Sequence, residues 1–296
     1  VEVTAKVPLT RRDEMVRQRV RSARDRLLEG LAVTERRLEV NGTGTSVLDG
    51  GQGPPLVLLH GGIQCGGVYW TPVLARLARR HHLVVPDLPG LGESEPVARM
   101  DAAAFADWFA GLLRLTCEEP PILVVHSLVG SLAARFAARH GDLLGALVLY
   151  GTPGVGPYRL PLGLQAAGLR LDLRSSHPNL ERFAHWPFLD LDRSRRQDPA
   201  WFAAFFDYMV SRGAVPHVKR TMRQLLRPCP KQVPDLDLRA VAVPTTLLWG
   251  RHDRMVPVGV GEAARARFGW PLRVVEDAGH VPHIEHPDAF VDALEA

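Results

Sequence analysis

A hydroxyl, a carboxylate and an imidazole, types that together can do nucleophilic chemistry, stand in this order along the chain: Ser127, Asp253 and His280. A serine hydroxyl is a poor nucleophile at neutral pH unless an imidazole takes its proton. The imidazole in turn needs a carboxylate to fix its tautomer and stabilise the imidazolium. Each residue lies at or just beyond a run that reads as a buried strand: Ile122 to Val125, TTLLWG (245–250) and RVVED (273–277). Two further strand ends hold His60-Gly61-Gly62 and Asp87 with LPGLGES. Ligands of open α/β sheets bind at the carboxyl ends of strands, so residues at these ends can converge. Taken alone, Ser127 is equally readable as a helix N-cap. The other strand ends decide between the two readings.

These residues need elements to position them. Thr34 onward reads as a hairpin, Glu35 to Val40 and Thr45 to Leu48, across a turn at Asn41-Gly42-Thr43-Gly44. Buried strands follow at Leu56 to Gly62, His82 to Asp87, Ile122 to Val125, Ala146 to Tyr150, Thr245 to Gly250 and Arg273 to Asp277. Helical patterns lie between them at Tyr69 to Arg79, Ala102 to Leu115 and after Ser127. Apolar strands alternating with helices predict an α/β fold whose mostly parallel sheet is covered on both faces. Thr152 to Pro244 breaks the rhythm, with no clear strand and most of the aromatics. Asp198-Pro199 reads as a helix start, acid at N-cap and proline at N1. The WFAAFFDYM run behind it puts aromatics on more than one face, as expected of a helical insertion over the sheet edge.

At 296 residues the length allows one large domain or two smaller ones. No apolar run is long enough to span a bilayer. The net charge of +4 comes almost entirely from arginine, the lysines being Lys6, Lys219 and Lys231. Because the basic residues are scattered among acids, nucleic acid is not expected as a partner. Cys65, Cys117 and Cys229 are far apart and suggest neither a disulfide framework nor a metal site. With no signal-peptide core at the N-terminus, the expected setting is cytoplasmic. Thr10 to Gly30 reads as an amphipathic helix with three competing roles: docking on the body of the protein, a homodimer contact, or an anionic membrane surface. Interspersed acids favour the first.

Four motifs in this order resemble the α/β-hydrolase superfamily, in the branch with a helical cap: HGG at 60–62, DLPGLGES at 87–94, WGRHDRMVP at 249–257 and GHVPHIEHPDAF at 279–290. The likeness runs from about Thr34 to the end, and the cap matches only in position and helical character. It implies the α/β-hydrolase fold, an eight-stranded sheet with a core at 32–153 and 240–296. A helical cap would fill 154–239, and 1–31 would be an extension outside the likeness. The resemblance makes Ser127 the nucleophile, Asp253 the acid and His280 the base. It assigns the oxyanion hole to the amides of Gly62 and Leu128. Asp87 becomes the structural aspartate of its glycine-rich turn, and His60 a brace for the oxyanion loop. His283 and His286 are alternatives to His280, but the glycine before His280 selects it. No cofactor or metal is implied.

One departure stands out. The family frames its nucleophile as G-x-S-x-G, whereas here the residues are Val125-His126-Ser127-Leu128-Val129-Gly130. Two β-branched side chains should crowd a turn where glycines let strand and helix approach. Three outcomes follow: a working hydrolase, a specialised enzyme with a re-angled elbow, or a binding protein with an idle triad.

A serine nucleophile excludes the aspartate-dependent epoxide hydrolases and haloalkane dehalogenases of the superfamily. His126 and Leu128 around Ser127 resemble esterases, lipases and lactonases more than carbon–carbon bond hydrolases, which remain the runner-up. The expected activity is therefore hydrolysis of a small apolar carboxylic ester or lactone. Candidate pocket residues are Ile63, His126, Tyr158, Trp186, Trp201 and Phe205, with Phe188 and the rest of the 201–209 helix beside them.

Overall fold

A computed structural model describes residues 23–61, 63–227 and 232–296. Its centre is a sheet of eight strands: β1 (Val33–Val40), β2 (Thr43–Gly50), β3 (Pro55–Leu59), β4 (His82–Pro86), β5 (Ile122–His126), β6 (Ala146–Tyr150), β7 (Thr245–Gly250) and β8 (Leu272–Val275). They lie in the order β1-β2-β4-β3-β5-β6-β7-β8. The first two pairings are antiparallel and the rest parallel. Long crossovers are required between parallel neighbours, and helices supply them.

The predicted four-residue hairpin turn is shorter than expected. Val40 pairs with Thr43, so only Asn41 and Gly42 turn, both at positive φ (48° and 77°). That pair of conformations matches the right-handed twist of the strands it joins. The predicted strand at Leu56 to Gly62 stops at Leu59, and His60-Gly61 leave the sheet as loop.

The central strands alternate between two cores, as the period of two demands. Val57, Leu59, Leu123, Val125, Leu147 and Leu149 enter one, where α3 (Ala102–Thr116), α4 (Gly130–His140) and α11 (Gly259–Phe268) pack. Leu56, Leu58, Val124, Val148, Tyr150 and Leu248 enter the other, against α2 (Thr71–Leu77), α12 (Pro282–Glu285) and α13 (Pro287–Glu295). Helical residues 23–28 (α1) join this second core through Ala23 and Leu27. The rest of the helix expected at 10–30 lies outside the described residues.

Among the described residues, the interval between β6 and β7 holds helices and no strand: α5 (Leu162–Leu173), α6 (His177–Ala184), α7 (Leu191–Gln197), α8 (Pro199–Gly213), α9 (Pro216–Leu225) and α10 (Asp235–Arg239). Asp198 caps α8, its side chain accepting from the Trp201 N–H with Pro199 in the first turn. This matches the expectation from Asp198-Pro199.

Candidate active site

The strand ends bring Ser127, His280 and Asp253 together. β5 ends at His126, a 3-10 turn runs from Ser127 to Val129, and α4 follows. Ser127 holds φ +53°, a left-handed conformation that an L residue adopts only when its surroundings enforce it. Its Oγ lies 2.9 Å from His280 Nε2, and His280 Nδ1 lies 2.6 Å from Asp253 Oδ2. All three are buried. Because a carboxylate can only accept, Nδ1 carries the proton, and Nε2 presents its lone pair to the serine hydroxyl. Asp253 is itself fixed: Oδ1 accepts from the amides of Met255 and Val256, each at 2.8 Å. Carboxylate, imidazole and hydroxyl thus form one directed chain from β7 across β8 to β5.

Glycines let the backbones close in on this chain. A Cβ on Gly151, at φ +53°, would lie 3.0 Å from His280 Cε1. A Cβ on Gly61 would sit 2.8 Å from the Ser127 Cβ. The departure at the nucleophile turn also has its structural account here. Val125 and Val129 point into the first core and are fully buried. The tight approach falls instead on Gly130, where a Cβ would meet Thr152 Oγ1 at 2.1 Å.

The loop carrying His280 is held by Glu285, a residue that no local pattern in the sequence marks. The Gly279 N–H donates to Glu285 Oε2 at 2.7 Å and the Leu189 N–H to Oε1 at 2.6 Å. The His280 N–H donates to the Pro187 carbonyl at 2.7 Å, so the same loop is tied to the helical interval. Burial pushes the Glu285 carboxyl above its ordinary range, against the pull of the amides it accepts from. Glu285 was visible only as part of GHVPHIEHPDAF, where nothing separates it from a helix-surface acid.

Of the neighbouring histidines, His126, His283 and His60 are tied into the surroundings of the site by hydrogen bonds. His126 Nε2 lies 3.0 Å from the His280 carbonyl, so it must donate, and Nδ1 accepts from the Tyr69 hydroxyl at 3.2 Å. Burial, with His280 and His283 close by, holds the His126 imidazole well below its ordinary pKa. His283 Nδ1 lies 2.9 Å from the Tyr150 hydroxyl, and His60 Nε2 accepts the Leu88 N–H at 3.0 Å. Burial lowers His60 to about 3. His286 meets the Asp277 carbonyl and the Arg193 guanidinium instead of the site. Tyr69 was not anticipated, because it lay inside an ordinary helical pattern.

Asp87 accepts from the amides of Gly67 and Glu93, tying the glycine-rich turn to the segment after His60. Of the two expected oxyanion donors, Gly62 lies outside the described residues. Leu128 stands in the first turn after the strand, where a helical N–H has no partner within its own helix. Its side chain lines a cavity above Ser127.

That cavity measures about 580 Å³. Ser127 and His280 are in its wall, and the rest is mostly apolar. Ile63, His126, Tyr158 and Phe205 line it as expected. Trp186 and Trp201 do not. Trp186 packs over Gly163, where a Cβ would touch its ring at 2.7 Å. Trp201 donates its indole N–H to Thr71 Oγ1 at 2.8 Å and stacks on the far side of Phe205. Helical periodicity put aromatics on several faces of α8, and only the face with Phe205, Phe206 and Met209 turns to the cavity. Leu164 and Leu171 of α5 and Met222 of α9 close the other sides.

Residues 56–293 match the alpha/beta hydrolase family. The chain belongs to that family. Among its relatives is a pimeloyl-[acyl-carrier protein] methyl ester esterase of Chromobacterium violaceum, 30% identical over 82% of this chain and 94% of the relative. A 2-hydroxy-6-oxononadienedioate/2-hydroxy-6-oxononatrienedioate hydrolase of Escherichia coli is 27% identical over 88% and 93%. Among solved structures, a carboxylesterase of Bacillus subtilis superposes with TM-score 0.79 at 21% identity, over 95% of this chain and 97% of that one. As an alpha/beta hydrolase the chain is a hydrolase by family. By name, the first of these relatives acts on a methyl ester and the second on a 2-hydroxy-6-oxo dicarboxylate.

Proposed function

We propose that the protein is a serine hydrolase that cleaves carboxylic esters with an apolar acyl group through an acyl-enzyme at Ser127. The observation that carries this reading is the directed chain from Asp253 through His280 to Ser127 Oγ, set in the wall of an apolar cavity. His280 Nε2 takes the hydroxyl proton as Oγ attacks the ester carbonyl, and Asp253 stabilises the imidazolium. The Leu128 amide receives the developing oxyanion, with Gly62 as its expected partner. His280 then returns the proton to the leaving alcohol. Water repeats the cycle on the acyl-enzyme and frees Ser127. The helical segment 154–239 acts as the cap that supplies the apolar wall.

A fluorophosphonate probe should label the wild type and leave Ser127→Ala unlabelled. Turnover of p-nitrophenyl esters should fall in parallel in Ser127→Ala and His280→Ala. Substantial esterase turnover in Ser127→Ala would overturn the nucleophile assignment.

A second reading, carbon–carbon bond hydrolysis, rests on Lys219 and Arg223, which line the cavity and could hold an acidic substrate. Because Arg223 is ion-paired with Asp172 at 2.8 Å and lies at the exposed rim, this reading ranks second. A vinylogous diketone substrate turned over faster than any ester would reverse the order.

A further inference from the structure

Helix α5 is apolar on two opposite faces. Leu164, Ala167 and Leu171 turn inward and are buried, with Leu164 and Leu171 in the cavity wall. The outer face carries Leu162, Ala166, Leu169 and Leu173 at a spacing that aligns them in one stripe. Its leucines are 82%, 59% and 67% exposed in chain order. Scattered exposed leucines need no explanation, but a stripe along one helix does. An apolar helix face is normally packed against a neighbour, and among the described residues the outer face of α5 is not.

Two observations say what covers that face. First, the stripe is continuous with the cavity, since Leu169 belongs to both and Leu226 at the end of α9 is exposed while lining the same opening. Second, the surround is cationic. Arg170 and Arg174 flank the stripe, and both are exposed without an ion pair to a described residue. Lys219 donates to the Leu173 carbonyl at 3.4 Å, and Arg220, Arg223 and Arg227 follow on or just beyond α9. The acid interleaved there, Asp172, is already taken by Arg223. An apolar stripe edged with arginine suits a helix lying in the headgroup region of an anionic lipid layer.

We propose that the outer face of α5 docks on an anionic lipid surface, with Leu162, Leu169 and Leu173 inserted among acyl chains. Docked this way, the mouth at Leu169 and Leu226 opens toward the lipid, and an acyl chain can pass into the cavity without crossing water. The proposal rests on the esterase reading for its purpose, and it names the substrate class as lipid-borne esters. The docking itself requires no chemistry.

The test is cosedimentation of the full chain with vesicles of phosphatidylcholine alone or mixed with phosphatidylglycerol. The wild type should bind the anionic vesicles at least tenfold more tightly than the zwitterionic ones, and more weakly at 1 M salt, where charges are screened within about 3 Å. Leu162→Ser with Leu173→Ser, neither of which lines the cavity, should lose binding at least tenfold while leaving turnover of a water-soluble ester unchanged. Arg170→Gln with Arg174→Gln should abolish the preference for anionic lipid. Ser127→Ala should bind like the wild type, so failure of the esterase reading and failure of the docking are separately visible. Absence of vesicle binding, or binding indifferent to the leucine pair, would overturn the proposal. So would concentration-dependent self-association abolished by that pair, since a second copy would then be the occupant.

Discussion

The Arg24 guanidinium lies 3.5 Å from the Asp87 carboxylate, joining helix α1 to the glycine-rich turn that follows β4. Arg24 is buried, and its other donors meet Glu35 at 2.9 Å and the Tyr208 hydroxyl at 3.0 Å. Tyr208 stands on α8, the helix whose Phe205 and Met209 line the cavity. One cation therefore ties α1, β1, the glycine-rich turn and the aromatic wall. Burial pushes the Asp87 carboxyl up, and Arg24 opposes it. Arg24→Met leaves Asp87 and Glu35 without their shared cation, and breaking a buried pair costs about 3–5 kcal/mol. Urea unfolding should show that loss, with Arg24→Lys intermediate. A cost below about 1 kcal/mol, the ceiling for exposed pairs, would mean the cluster is solvated.

In the turn that carries Ser127 the close approach falls on Gly130, while Val125 and Val129 point into the core. Gly130→Ala drives a methyl into Thr152 and should destabilise by about 1–3 kcal/mol, the range for overpacking, while slowing probe labelling of Ser127. Val125→Gly and Val129→Gly remove fully buried side chains and add backbone freedom. Each should cost roughly 2–4 kcal/mol, in the range of large-to-small core changes, with no gain in turnover per folded molecule. Faster turnover in either glycine variant would show that the valines restrain the elbow.

Glu285 holds the loop that carries His280 and is expected to affect turnover through it. Its two oxygens hold the amides of Gly279 and Leu189, and Glu285→Ala leaves the buried Gly279 donor unpaired at about 1–3 kcal/mol, with a smaller loss at the half-buried Leu189. Turnover should drop more than KM changes, because the loss falls on the placement of the imidazole. Glu285→Gln retains one acceptor oxygen and should recover part of kcat. Equal effects on kcat and KM from both variants would argue for a general loss of folding instead.

The strands and three site residues were legible because their signals are local. A buried parallel strand is a short β-branched run, and the residue after it must sit at the sheet's carboxyl edge. Strand position alone leaves Ser127 equally readable as a helix N-cap, and it is the resemblance of the motifs around them that marks Ser127, Asp253 and His280. What escaped depends on contacts between distant segments. Glu285 reaches the 187–189 segment, Arg24 reaches Asp87 and Tyr208, and Tyr69 reaches His126, none of which leaves a periodic trace. Trp186 and Trp201 were misplaced for the same reason. Periodicity tells which residues share a helix face, but not which neighbour that face meets.

Acid should unfold this protein through its buried histidines. His60, His126 and His283 are all held below their ordinary pKa, His60 at about 3, with burial the largest cause in each. The unfolded chain takes up protons on these groups near pH 6.5, whereas the folded chain does so only at lower pH. Below about 6.5 the unfolded state thus binds more protons, and stability falls as pH falls. Each histidine adds a slope of up to about 1.4 kcal/mol per pH unit. Asp87 and Glu285, whose carboxyls burial raises, work in the opposite direction, because the folded state takes their protons first. Urea titrations between pH 7 and pH 4 should therefore show declining stability. Gln in place of His60 can still accept the Leu88 N–H, so His60→Gln should flatten the decline by about one histidine's slope. An unchanged slope in that variant would mean that His60 already titrates normally in the folded protein.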